Sequence, residues 1–97
     1  MQVSASGIPW YKREDYSEIL KVMDDANLLP RDFDSWLKKA EQVKKQLKAR
    51  GIVPIEAYIN PSEFPAWCRA RSLNVNAAAR LEYANFVAFK SYQQGKA

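Results

Sequence analysis

Histidine is absent from the 97 residues. That removes Ser-His and Cys-His nucleophile pairs, imidazole metal ligands and imidazole proton shuttles. Cysteine occurs once, at Cys68, so no disulfide can close within the chain and no multi-cysteine metal site can form in it. No run approaches the ~20 apolar residues needed to cross a bilayer, and residues 1–7 carry no cleavable signal pattern, so the expected location is cytoplasmic. Acid–base work is left to carboxylates, lysines and tyrosines, and no pair of these has a catalytic arrangement. The expectation is a non-enzymatic protein with no cofactor and no metal.

Extended structure is also scarce. Residues Ile52 to Ile59 alternate as a strand, with Val53, Ile55, Ala57 and Ile59 on one face and Ile52, Pro54, Glu56 and Tyr58 on the other. Branched and aromatic residues suit a pleated surface. Pro54 lacks an N–H, which predicts an unpaired edge at that point. No second convincing strand is evident, and a lone strand leaves its backbone donors and acceptors without partners. The pairing is therefore expected from an irregular segment, a second copy of the chain, or another protein.

The remainder reads as helix around this strand, a mainly α architecture of order α-α-β-α-α in a single domain spanning 1–97. Residues 1–7 and 94–97 are expected to be disordered. A first helix is predicted over Arg13–Asn27, with Tyr16, Ile19, Leu20, Met23 and Ala26 as its apolar stripe. Pro30 disfavours helix at the residue before it. A second helix is predicted from Asp32, as N-cap, to Arg50, with Phe33, Trp36, Leu37, Ala40, Val43 and Leu47 buried and Gly51 as the stop. The connection is short, which predicts an antiparallel hairpin. Asn60 and Glu63 read as a capping box for a third helix ending near Arg71. Asn74 or Asn76 then caps a last helix reaching about Gln93. That helix carries two apolar stripes, Ala79, Tyr83, Phe86 and Val87 on one side and Leu81, Ala84, Ala88 and Tyr92 on the other.

The charge pattern says more than the net +4. Seven acidic residues and two basic ones lie between Glu14 and Asp34; six basic and one acidic lie between Trp36 and Arg50. Folding back as a hairpin would let the segments neutralise each other; unneutralised, the second is a basic surface for nucleic acid. Other chemical candidates are weaker. Ser35 and Lys38 make a bare S-x-x-K without the S-D-N and K-T-G elements that accompany it in serine acyltransferases. Asp24, Asp25, Asp32 and Asp34 fit no calcium loop. Cys68, beside Arg69, Arg71 and Trp67, reads as a buried inert thiol rather than a reactive one.

From Ile52 to about Tyr92, the order strand, Asn-Pro cap, short helix, Asn-containing turn and longer helix resembles the ribbon-helix-helix family of dimeric DNA-binding proteins. The resemblance implies an antiparallel pairing of strands from two subunits that enters the major groove. The leading expectation from the residues is a small binding or regulatory protein that associates with itself or another protein, most simply as a homodimer. Its interface would comprise Val53, Ile55, Ala57, Ile59, Leu81, Ala84, Ala88 and Tyr92. The alternative is a DNA-binding regulator with Lys38, Lys39, Lys45, Lys48 and Arg50 on phosphates. No membrane partner is expected.

Overall fold

The computed structural model describes residues 4–94, with side chains described as far as Ser91. The disorder expected at 1–3 and 95–97 lies outside these residues. The elements in chain order are β1 (Ser4–Trp10), α1 (Tyr16–Val22), α2 (Phe33–Ala49), β2 (Ile52–Tyr58), α3 (Phe64–Ala70) and α4 (Ala77–Gln94). Short 3-10 turns at Arg13–Asp15 and Ala26–Leu28 flank α1. No helix is long and apolar enough to cross a membrane among the described residues.

The α-α-β-α-α expectation is overturned at its first element. Ser4–Trp10 is a strand, and it pairs in parallel with β2 over the full register from Ser4↔Ile52 to Trp10↔Tyr58. Of the three partners open to β2, an irregular segment, a second copy or another protein, it takes a segment of its own chain, in residues expected to be mobile up to Gly7. The fold is therefore mixed α/β, with α1 and α2 forming the crossover that a parallel pair requires.

The direction of the ladder assigns every backbone group an edge. The Ile59 N–H donates to the Trp10 carbonyl at 3.0 Å. By the alternation of a parallel pair, Val53, Ile55 and Ala57 then turn their backbone groups toward β1, while Pro54, Glu56 and Tyr58 turn theirs outward. On β1 the outward positions are Ala5, Gly7 and Pro9. Both prolines thus sit where a missing N–H costs the ladder nothing, and each blunts the outer edge of its strand against further pairing.

The same alternation sorts the two faces. Ile8, Trp10 and Glu56 face α2: the Trp10 ring meets Trp36 edge-on at 5.1 Å, and Lys44 bonds Glu56 at 2.7 Å. Tyr11, Tyr16 and Phe33 complete this aromatic core around Trp36. Gly7, Ile55, Ala57 and Ile59 face α4. A Cβ on Gly7 would lie 2.0 Å from the Ala84 carbonyl oxygen and 3.1 Å from the Ala88 methyl, so α4 rests directly on the backbone of β1. Glycine is needed there for close approach. A second aromatic group, Phe64, Trp67, Tyr83 and Phe86, joins α3 to α4.

The first helix is shorter than its periodicity implied because Asp24 and Asp25 are drawn out of it. Met23 is extended (ψ 130°), which ends α1. Asp24 then exchanges backbone and side-chain bonds with Val75 at 2.7 and 3.1 Å. Asp25 takes a bidentate pair from Arg80 at 2.7 and 3.0 Å. Arg80 is 7% exposed, and its ion pair ties the α1 end to α4. The expected close helical hairpin is replaced by contacts of α1 with the turns on either side of it, while its one aromatic residue, Tyr16, reaches Phe33 of α2. Asp32 does cap α2, accepting from the Ser35 N–H at 2.9 Å and the Ser35 hydroxyl at 2.8 Å. Gly51, at φ 78°, follows the α2 C-cap. Asn60 accepts from the Ser62 N–H and donates to Glu63, but α3 itself begins at Phe64, which puts Pro65 at N2 with no helical bond to lose. Ser72, at φ 57°, closes α3 as its N–H bonds the Arg69 carbonyl and the Leu73 N–H bonds the Cys68 carbonyl.

Two outcomes follow for stability. Gly7→Ala forces α4 off the sheet and should cost about 3 kcal/mol, read from urea denaturation with an unchanged m-value. The Arg80 guanidinium, through its side-chain hydrogen bonds to the Asp25 carboxylate, holds that carboxyl below its usual range. Its stabilisation is therefore present above the unfolded carboxylate pKa and is lost as pH falls below about 4. Asp25→Ala should cost about 3–5 kcal/mol at neutral pH, by stranding a buried guanidinium, and should flatten the acid limb of the stability profile.

Candidate interaction surfaces

The fold decides which of the proposed contact residues remain free. Ala57 is fully buried and Ile59 is 2% exposed, both under α4, and Ile55 is half-buried on the same face. The strand face nominated as an interface is thus turned toward the chain's own last helix, with Val53, at 48% exposure, the exception. On α4 itself, Ala84 is fully buried and Ala88 half-buried against Gly7. Leu81 remains 55% exposed, and the Tyr92 side chain lies outside the described ones.

With the buried side of α4 defined by Arg80, Ala84 and Val87, the opposite side can be read from the helical period. Ala78, Leu81, Asn85 and Phe89 follow one another at three- and four-residue steps and all are exposed. Phe89 is the residue that the two-stripe reading missed. It is 60% exposed and lies one turn beyond Asn85. Its signal was visible as the apolar residue in step with Leu81 and Asn85, but the stripe that began at Leu81 had been continued through Ala84 and Ala88 instead. Phe86, 37% exposed, sits between this surface and the Trp67 cluster. The charges flanking the exposed side are Glu82 and Lys90, two turns apart, with Lys90 lying 5.0 Å over the Phe86 ring.

A second surface is basic. Lys38, Lys39, Lys45, Lys48 and Arg50 are all exposed on or just beyond α2. The hairpin neutralisation that the charge pattern suggested is not made. Among the described residues, the ion pairs are Arg13–Asp34, Lys21–Glu18, Lys44–Glu56 and Arg80–Asp25, and none joins the acidic segment to the basic one. Lys44 is the cation of this helix that turns inward. Its ammonium bonds Glu56 and lies 4.9 Å over the Trp10 ring. That bond lowers the Glu56 carboxyl below its usual range.

The remaining polar candidates are occupied by the fold. The Ser35 hydroxyl is bound to Asp32, Asp34 pairs with Arg13 at 2.6 Å, and Asp24 and Asp25 hold the start of α4. Cys68 is fully buried, and burial pushes its thiol up. Strand β2 is paired with β1 on one edge, and its outer edge is unpaired among the described residues. Comparison with family models, with curated proteins and with solved structures gives no match to this chain.

Proposed function

We propose that this is a non-enzymatic association module that works as a symmetric homodimer through the outward side of α4. The observation that carries the reading is the exposure of Leu81 and Phe89 on one face of a helix whose other side is already packed. Large apolar side chains in register on a helix gain on the order of 1–2 kcal/mol apiece from being covered.

A second copy of α4 is the cover that the pattern fits. An antiparallel pairing about a two-fold axis at Asn85 sets Leu81 of one copy against Phe89 of the other, twice over. It places the two Asn85 amides side by side, where each can donate to the other, and a polar residue in such a seam fixes register and orientation. The same axis brings Glu82 of one copy beside Lys90 of the other on a common flank. A self-complementary patch of this kind is the requirement of an isologous interface. The strand edges, each blunted by a proline, are left out of this contact.

Sedimentation across the micromolar range should show the 11.1 kDa chain moving to twice that mass as concentration rises. Phe89→Glu should hold it at the monomer mass with its helical circular dichroism unchanged, because Phe89 packs on little within the chain. A wild-type protein that stays monomeric throughout, or a Phe89→Glu variant that still dimerises, contradicts the proposal.

The unneutralised cations of α2 favour a second reading, phosphate contact along a nucleic-acid backbone. Fluorescence anisotropy with a DNA duplex should then give a log affinity that falls with log salt at a slope of about −4, as for roughly five phosphates. Glu substitution at both Lys45 and Lys48 should shallow that slope. Absence of binding at low ionic strength ends this reading.

A further inference from the structure

Between the α2-facing side of β1 and the outer turns of α2 lies a cavity of about 250 Å³. Its walls are apolar, built from Ile8, Trp10, Leu29, Trp36 and Val43. Three polar side chains also line it, Tyr11, Arg80 and Lys39, and all three can donate hydrogen bonds. No carboxylate lines it.

The donors are unevenly satisfied. Arg80 gives one hydrogen bond from each terminal nitrogen to Asp25 and one more to the Met23 sulfur at 3.4 Å, which leaves N–H donors of its guanidinium over. Tyr11 lines the cavity, and its hydroxyl makes no hydrogen bond to another described residue, so it is free to donate to a ligand there. Burial pushes that hydroxyl's pKa up to about 12, so at neutral pH it is a donor and not a phenolate. An acceptor inside the cavity could take the Tyr11 O–H and the Arg80 N–H groups that the fold leaves over. Asp25 neutralises Arg80, while Lys39 at the exposed rim has no ion pair among the described residues. The field at the mouth is therefore positive.

From these features we infer that the cavity binds a small monocarboxylate with an aromatic or compact apolar body. The body would lie against Trp10 and Trp36, and the carboxylate would accept from Tyr11, with Arg80 and Lys39 on its remaining lone pairs. Concave, mostly apolar sites with a few convergent polar groups are the usual form of small-molecule sites, and this one has room for one ring and a short acid arm. The inference rests on the cavity alone and is independent of the α4 surface.

The test compares 3-phenylpropionate with its neutral amide by titrating the ¹⁵N-labelled protein. The expected result is a saturable shift of the Trp10 and Trp36 indole N–H signals, with the acid binding at least tenfold more tightly than the amide. Lys39→Gln should weaken the acid about fivefold and leave the amide unchanged. Tyr11→Phe, which keeps the ring and its packing, should weaken the acid by a similar factor in a protein whose spectrum stays dispersed. Equal binding of acid and amide overturns the inference. So do shifts that map away from the two indoles, or acid affinity unmoved by either substitution.

Discussion

The parallel ladder between Ser4–Trp10 and Ile52–Tyr58 is the constraint on which the other elements depend. A two-stranded sheet has little stability by itself and must be covered on both faces. Here the cover is unequal. On one side the contact is made by large aromatic side chains, Trp10 reaching Trp36 across to α2; on the other it is made by near-contact of backbones, α4 against Gly7. Gly7, on the α4 side of β1, allows that approach, and the large residues on the α2 side, Ile8 and Trp10, fill the space between the sheet and α2. One seven-residue strand thereby sets the distance of two helices.

The Arg80–Asp25 pair does related work at the end of the sheet. It ends α1 early, anchors the first turn of α4, and puts a guanidinium at the wall of the cavity beside Tyr11. A buried pair of this kind is weak evidence for stability by itself, since its desolvation offsets much of its attraction. Its value lies in position: it fixes α4 against rotation. The side of α4 that carries Leu81 and Phe89 is outward because Arg80 and Ala84 are inward. Lys44 is the corresponding case on α2, turned inward onto Glu56 and Trp10, while the other lysines of that helix keep the solvent side.

Helix α2 and strand β2 were legible in the sequence because each is regular in its own terms. Asp32 caps, Gly51 stops, and the apolar residues of each recur at the right period. β1 was not legible, for a physical reason. Ser-Ala-Ser-Gly-Ile-Pro-Trp combines weak strand formers with the two residues that usually mark turns. Gly7 is there for the approach of Ala84 and Ala88, which lie nearly eighty residues away, and Pro9 is tolerated because its backbone faces the outer edge. Local propensity carries neither fact. The premature end of α1 was hidden in the same way, since Asp24 and Asp25 continue a helical pattern and leave it only for Val75 and Arg80. Missing β1 also sent the candidate interface to the wrong face of β2, onto Ala57 and Ile59. The exposed cations of α2 and the exposure of Leu81 were readable because surface position on a helix follows from its period.

Backbone hydrogen exchange across Ile52–Ile59 tests the intrachain ladder most directly, because its two edges carry alternate residues. Pairing with β1 predicts slow exchange for the amides of Ile55, Ala57 and Ile59, and for Ile8 and Trp10 opposite them, with fast exchange at Glu56 and Tyr58. Slow exchange at Glu56 and Tyr58, with fast exchange at Ile55 and Ala57, would mean that β2 pairs along its other edge. That result would contradict the fold described here and return the strand to a partner outside the chain.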